Sequence, residues 1–265
     1  MENGTTYLSE SLKSGKLMRW TFMPLKVYIA PMKFYSKQGE DYKYRGMVKQ
    51  ALETWQKASG GKVSFKIVPT LLESNVNIEW KRVDRQALGY CAFQYDPNNR
   101  LYSAEVQIGL TEGLVHAQYM DEDEVYHTIL HEIGHALGLG HSPYKTDIMY
   151  TPHQKGIKTL SRNDKLTLKW LYILPQGSTP AEVASKYGTS GSDIDEVVKK
   201  IITKQTKSEF EEVKENIKQK PERDLEEEQE RIALMRKHHM ALQNVQISQD
   251  IKNYLINHKN KPRQF

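Results

Sequence analysis

The feature that most constrains this chain is one short run that carries three histidines at fixed spacing. Residues 131–141 read His-Glu-Ile-Gly-His-Ala-Leu-Gly-Leu-Gly-His. On a helix, His131 and His135 lie one turn apart and point to the same side. Gly138 lets the chain leave the helix in a conformation that residues with a Cβ resist, and the turn can bring His141 beside the other two. The spacing therefore predicts three imidazoles around one metal ion.

The ligand set indicates zinc and a hydrolytic role. Three neutral imidazoles and one water form an open tetrahedral zinc site of the catalytic kind. Zinc in such a site lowers the pKa of its water toward about 7 and polarises a carbonyl group. Glu132 is next to the first ligand and can reach that water as a general base. A helix with merely solvated histidines is the alternative, and the apolar residues between the histidines disfavour it because they pack the helix.

The elements around this motif predict an α+β fold. Apolar residues alternate at period two in three segments, which is typical of half-buried strands, and a turn-rich stretch joins two further strands. The predicted strands are about 25–29, 63–67, 76–80, 88–94 and 102–108. The predicted helices are about 42–58, 121–139 and 162–173, the last opened by the capping box Ser161-x-x-Asp164. This order predicts helices packed on a twisted mixed sheet.

The composition changes near Pro175 and Gly177, where the aromatic-rich part of the chain ends. All four tryptophans lie before this point. We therefore predict an N-terminal extension over 1–18, a catalytic domain over 19–175 and a helical C-terminal region over 176–265.

The C-terminal region shows helical periodicity with two interpretations. A short helix follows Thr179-Pro180, and a longer one follows Ser192 with an apolar stripe that runs to Pro221. Residues 222–257 continue as a helix with apolar residues near heptad spacing. Either the helices form a hairpin that buries the stripe on itself or on the first domain, or they form a coiled-coil site for a partner.

Composition excludes several other classes. The net charge of +5 is dispersed, and no basic cluster indicates a nucleic-acid partner. No apolar stretch approaches the roughly 18 residues of a membrane-spanning helix, so we expect no integral membrane segment. One cysteine, Cys91, permits neither an internal disulfide nor a cysteine zinc cage. No secretory signal is visible at the start, and the compartment stays open.

Beyond the three histidines, Met149 follows His141 after eight residues, which is the metzincin pattern with its Met-turn. Ser142 and the Ile148-Met149-Tyr150 turn resemble the matrixins, the matrix-metalloproteinase family, and the resemblance covers about 19–174. It implies a zinc peptidase in which His131, His135 and His141 hold the zinc. It also implies that Glu132 is the general base, that Met149 forms an apolar floor under the ligands, and that the protein is extracellular.

The chain departs from many matrixins, which carry a second, structural zinc and calcium ions. The stretch 88–107 has none of the histidines expected for a structural zinc, so we expect one catalytic zinc and regard calcium as doubtful. The acids 121–124 are explained by the dipole at a helix start. Cys91 is expected to be a buried thiol. The histidines without partner spacing are expected at the surface: His116, His153, His238, His239 and His258. His127 lies one helical turn before His131 and is either a surface residue, which we favour, or a residue that supports the ligands from behind.

These observations predict a zinc-dependent endopeptidase. Its substrate would lie as an extended strand along a sheet edge near residues 87–91, and the segment 149–152 would wall the pocket for the side chain after the scissile bond. One alternative is a partner-binding scaffold whose helical tail holds the partner and whose peptidase activity is incidental. Another is a zinc hydrolase that acts on something other than protein.

Overall fold

The computed structural model describes most of the chain. The described residues are 4–32, 40–83, 88–112, 118–119, 121–218, 230, 232–234 and 237. The chain divides into two compact units, Met1–Lys204 and Gln205–Phe265.

The first unit contains strands and helices, and its last helix continues into the second unit. The described strands are β1 Leu12–Lys13, β2 Lys16–Leu17, β3 Leu25–Ile29, β4 Phe65–Ile67, β5 Val76–Val83, β6 Gly89–Tyr95, β7 Leu101–Glu112 and β8 Gln118–Tyr119. The α-helices are α1 Glu40–Ala58, α2 Glu122–Ala136, α3 Arg162–Ile173, α4 Pro180–Lys186 and α5 Ile194–Lys218. Two 3-10 turns cover Leu8–Ser11 and Leu71–Glu73.

Strands β3 to β8 form one mixed sheet in the order β4-β3-β5-β7-β6, with β8 paired to β7. The neighbours are parallel from β4 to β7, and β6 is antiparallel to β7. Ile78 lies between Ile29 and Val106 in this register, so the apolar alternation of the three central strands faces one core. The α+β class with a mixed sheet is confirmed, and β6 is an edge strand. The predicted strand over 63–67 is shorter than expected, since pairing begins at Phe65.

Two buried tryptophans fix α2 against the rest of the core. The indole N–H of Trp55, on α1, donates to the carbonyl of Leu130 at 2.9 Å, and that of Trp20 donates to the carbonyl of Ala136 at 2.7 Å. Both side chains are fully buried. A buried indole needs a partner for its N–H, and here each partner is a carbonyl of the histidine-bearing helix. The position of α2 is therefore set by core packing and by two directed hydrogen bonds.

The N-terminal stretch predicted as an extension belongs to the core. Tyr7, Leu8, Leu17 and Met18 are each at most 1% exposed. The hairpin of β1 and β2 also pairs with the chain beyond α3, because Leu17 exchanges backbone hydrogen bonds with residues 177 and 178. The periodicity of this short segment gave no sign of that packing.

The start of the C-terminal region also packs into the first unit. The apolar stripe of α5 is buried in the main hydrophobic core at Ile194, Val197, Val198 and Ile201. The first compact unit therefore runs past residue 175 to Lys204, because the apolar stripe of α5 is buried against the rest of that unit. In the second unit the described residues are helical. Most of the helix predicted over 222–257, and Pro221, lie outside the described residues.

No helix within the described part of the chain is both long and apolar enough to cross a membrane.

Two truncations test the packing of α5. A chain that ends at Lys204 keeps the buried stripe, and we expect its urea unfolding midpoint to stay close to that of the full chain. A chain that ends at Gln176 loses several buried side chains, each of which contributes about 1.5–3 kcal/mol, and its midpoint should fall sharply. Equal midpoints for the two truncated chains would contradict the buried position of α5.

Candidate metal centre

Helix α2 presents the first two histidines toward an open cleft. Asp121 caps its N-terminus by accepting a hydrogen bond from the backbone N–H of Asp123 at 3.0 Å, and the acids of the first turn favour the positive end of the helix dipole. Asp121 therefore stabilises the helix start as a cap, and the explanation of the other acids by the helix dipole stays a prediction. The helix places His131 and His135 one turn apart on one face.

A tight turn brings the third histidine back to the helix. Gly138 has φ of +96°, and a Cβ there would lie 2.9 Å from the backbone oxygen of Met18, so only glycine fits both the backbone conformation and the space. The N–H of Leu139 then donates to the carbonyl of Gly134 at 3.1 Å, which satisfies the helix end. The chain turns here, and His141 lies beside His135.

The three imidazoles converge through their Nε2 atoms. The Nε2 atom of His135 lies 3.1 Å from that of His131 and 3.2 Å from that of His141. Nitrogen ligands at 2.0–2.1 Å from one tetrahedral zinc ion are about 3.3–3.4 Å apart, so the spacing fits a single ion. Within the described residues, these histidines form the one group of three potential metal ligands.

Backbone carbonyls fix the tautomer of the two helical histidines. The Nδ1–H of His131 donates to the carbonyl of Ile148 at 2.7 Å, and that of His135 donates to the carbonyl of Leu139 at 2.8 Å. Since Nδ1 carries the proton, Nε2 carries the lone pair that a metal needs. Burial lowers the pKa of His131 to about 3 and that of His135 to about 4, which keeps both rings neutral near pH 7. The donor set fits zinc.

Met149 lies directly beneath the motif. It is fully buried, and its carbonyl accepts the N–H of Ser142 at 2.8 Å, which closes the loop after the third histidine. A Cβ on Gly134 would lie 2.3 Å from the Met149 sulfur and 3.0 Å from Trp55. The absence of a side chain at position 134 therefore allows the sulfur to pack against the helix between His131 and His135.

Two buried aspartates stabilise the turn around Met149 (residues 147–150) through hydrogen bonds. Asp164 accepts the N–H of Ile148 at 2.9 Å and the hydroxyl of Tyr7 at 2.7 Å. Asp147 accepts the hydroxyl of Ser142 at 2.5 Å. Both carboxyl groups are fully buried, and burial raises the pKa of Asp164 above its usual range. This network joins the turn to α3 and to the N-terminal segment.

Glu132 lies between the helix and the edge strand β6. It is 6% exposed, and burial raises its pKa to about 8. A Cβ on Gly89 would lie 2.6 Å from its Oε1 atom. Gly89 therefore leaves the room that this carboxyl group occupies beside the cleft.

The cleft has a volume of about 720 Å³ and runs between β6 and the loops around the histidines. Its lining includes all three histidines and Glu132. On the remaining walls it includes Leu88, Gly89, Tyr90, Cys91, Phe93, Tyr150, Thr151 and Pro152. The residues that the sequence assigned to the centre are therefore brought together, and β6 borders them.

Two histidines favoured as surface residues are less exposed than expected. His127, expected at the surface, is 3% exposed and donates from Nδ1 to the carbonyl of Ile157 at 2.7 Å. Its ring stacks on His131 with centroids 6.2 Å apart. His153 packs edge-on against His127 at 3.9 Å and is partly buried. The signal was available for His127, because it precedes His131 by one helical turn and so shares the buried face.

Other predicted positions can be compared directly. Cys91 is half-buried and lines the cleft, and burial raises the pKa of its thiol. His116, His238, His239 and His258 lie outside the described residues.

Helix α2 and the turn after it bring three imidazoles together beside an edge strand. The histidine motif and the Met149 turn that build this arrangement are those of the metzincin class of zinc peptidases. The profile of the matrixin family, Peptidase_M10, matches residues 26–173, more than half of the chain. The chain therefore belongs to the matrixin family of zinc metallopeptidases.

A curated relative comes from a virus. A protein of Heliothis virescens ascovirus 3e, named "Putative matrix metalloproteinase", is 27% identical over 161 residues. The match covers 52% of this chain and 33% of the relative, so the chain spans about a third of that protein's length.

A glycine pair tests the contact beneath the motif. Gly134→Ala should lower the free energy of unfolding by about 1–3 kcal/mol, because the added methyl overpacks against Met149 and Trp55. The control is Gly46→Ala on α1, where a Cβ meets nothing within 4 Å, and that change should raise stability by up to about 1 kcal/mol through helix propensity. Urea unfolding measures both, and a neutral Gly134→Ala would contradict the close packing.

Proposed function

We propose that this protein is a zinc-dependent endopeptidase that cleaves peptide bonds in protein substrates. The observation that carries the proposal is the convergence of the Nε2 atoms of His131, His135 and His141, two of them with their Nδ1 protons committed to carbonyls. These residues would hold one catalytic zinc. Membership of the matrixin family supports the peptidase class.

Zinc in this site supplies a Lewis acid for the scissile carbonyl and lowers the pKa of a bound water. Glu132 follows the first of the proposed ligands on α2 and lines the same cleft. A zinc ion beside it would lower the pKa of this buried carboxyl group and favour its ionised form, so that its carboxylate could take the proton of the attacking water. The same carboxyl group then passes that proton to the leaving amine. Met149 supports the ligands from below by packing against Gly134.

The edge strand β6 supports an extended peptide as the substrate. Among the described strands β6 pairs with β7 alone, so its other edge leaves backbone groups for a peptide to pair with. Residues 88–91 line the cleft, in agreement with the predicted edge at 87–91; residue 87 lies outside the described part. Tyr150, Thr151 and Pro152 line it as well. They would wall the pocket for the side chain after the scissile bond.

Cleavage of casein tests the proposal and its two alternatives. The full chain should cleave casein, a chelator should stop cleavage, and added zinc should restore it. Glu132→Gln keeps the shape and the three imidazoles but removes the proton acceptor, so activity should fall by about 10²–10⁴-fold. Glu53→Gln, an exposed change on α1, is the control and should leave activity unchanged.

The alternatives predict other results. A scaffold protein with incidental peptidase activity would show only trace chelator-sensitive cleavage of casein. A zinc hydrolase with another substrate would bind zinc without cutting casein. Substantial activity in Glu132→Gln would show that another group is the base.

A further inference from the structure

The carboxylate of Asp195, on the first turn of α5, accepts four hydrogen bonds from the N-terminal segment, residues 6–13. Its Oδ1 atom accepts the Thr6 hydroxyl at 2.5 Å and the Leu8 N–H at 2.7 Å. Its Oδ2 atom accepts the Ser9 N–H at 3.0 Å and the Ser9 hydroxyl at 2.7 Å. Four donors on one ionised group make a strong, directed anchor.

The anchor sits on a fixed base. Ile194 and Val197, on either side of Asp195, are at most 1% exposed. Asp193 caps the helix, since its Oδ1 atom accepts the N–H groups of Asp195 and Glu196 at 2.8 and 2.9 Å. The N-terminal segment is therefore held on a helix that is itself part of the core.

The anchored segment continues directly into the wall of the cleft. The Ser11 hydroxyl accepts the N–H of Gly140 at 3.0 Å, and a Cβ on Gly140 would lie 2.1 Å from the backbone oxygen of Glu10. His141 is the next residue. Glu10, Ser11 and Lys13 line the cleft together with it. The segment thus packs backbone to backbone against the turn that carries the third histidine.

The same segment reaches the edge strand. The Lys13 ammonium lies 5.6 Å from the centre of the Phe93 ring, and the Lys13 carbonyl accepts the Asn99 side-chain amide at 2.8 Å. Phe93 is toward the far end of β6, while Gly89 at the near end adjoins Glu132. The segment therefore bounds the cleft at the end away from Gly89.

This geometry gives the segment a place in the proposed reaction. Thr151 and Pro152 precede His153, which packs on His127 one helical turn before His131, whereas Glu10 packs on Gly140 at the other end of the histidine motif. If Thr151 and Pro152 wall the pocket after the scissile bond, the end bounded by Glu10 and Lys13 receives the residues before it. We propose that Asp195 is a positioning residue that holds the wall for the substrate residues preceding the scissile bond. The inference rests on the proposed endopeptidase function and assigns the start of α5 a part in substrate selection.

The consequence of losing the anchor is specific. Without it, Thr6 and Ser9 lose their hydrogen-bond partner while Tyr7 and Leu8 stay packed in the core, so the loosening is local. A substrate that contacts this wall then has to order the loosened backbone when it binds, at a cost in entropy.

His131, His135 and Glu132 lie on α2, and His141 follows the turn at Gly138 and is supported by the hydrogen bond between Gly140 and Ser11. The hydrogen-bond partners of Asp195 are Thr6, Leu8 and Ser9 and include none of these four side chains. Loss of the Asp195 anchor should therefore leave kcat/KM unchanged for substrates that are too short to reach the wall.

The test compares two peptides derived from the casein bond that mass spectrometry shows to be cut best. One peptide extends several residues on both sides of that bond, and the other keeps the same residues after the bond but only one before it. In Asp195→Asn, one carboxylate oxygen becomes an amide that faces two donors. We expect kcat/KM for the long peptide to fall about tenfold, as for the loss of hydrogen bonds to a charged group, while the short peptide and the zinc content stay unchanged.

The matched control is Glu196→Gln, which removes the same charge from the next, exposed position of the helix and should affect neither peptide. Ser9→Ala removes one of the four hydrogen bonds and should give a smaller loss in the same direction, which keeps the test open if Asp195→Asn folds poorly. Hydrogen exchange at the amides of Leu8 and Ser9 should accelerate in Asp195→Asn.

Several results would overturn the proposal. In Asp195→Asn, these are an equal fall in kcat/KM for both peptides with zinc retained, or no fall for either peptide. The same fall in Glu196→Gln, or unchanged hydrogen exchange at Leu8 and Ser9 in Asp195→Asn, would also overturn it. Failure of the wild-type chain to cut either peptide or casein would instead remove the endopeptidase function and, with it, this role for Asp195. The exchange measurement reports on the anchor independently of catalysis.

Discussion

The candidate metal centre depends on the hydrogen bonds that two imidazole Nδ1–H groups donate to backbone carbonyls. His131 is tied to Ile148 and His135 to Leu139, and each bond turns an Nε2 lone pair toward the same point. Without these bonds the rings could rotate or change tautomer, and the ligand set would have to be ordered each time an ion binds. The carbonyl partners lie on two different loops, so the geometry requires that both loops be held still.

The rest of the domain supplies that rigidity. Trp20 and Trp55 hold α2 through its own carbonyls. Asp164 holds the N–H of Ile148 from α3, and a buried aspartate with several donors is costly to displace because its charge would be left unpaired. The close approach of Met149 to Gly134 fills the space beneath the ligands. Each support acts on the backbone that carries a ligand or its carbonyl partner.

The sequence predicted local structure well where a local signal defined it. Helix α3 spans Arg162–Ile173, the range expected from the capping box at Ser161. The α+β class, the edge strand near residue 89 and the grouping of the three histidines were also readable, because periodicity and motif spacing are local properties. The assignment of those histidines as zinc ligands and of Glu132 as the base stays a prediction.

The sequence did not predict which distant segments pack against each other. The apolar stripe of α5 was visible, but a stripe does not name the surface that buries it. The anchor between Asp195 and Ser9 joins positions far apart in the sequence, and nothing in either neighbourhood indicates the other. The boundaries predicted at 18 and 175 missed this packing for the same reason, although the division into domains of separate function stays a prediction.

The most direct test of the account is the coordination of zinc in the purified protein, measured by elemental analysis and zinc X-ray absorption. We predict one zinc per chain, bound by three imidazole nitrogens at about 2.0–2.1 Å and one further oxygen. A sulfur ligand at about 2.3 Å, which would implicate Cys91, would contradict the assignment of His131, His135 and His141 as the zinc ligands. A second tightly bound zinc would contradict the prediction of a single ion.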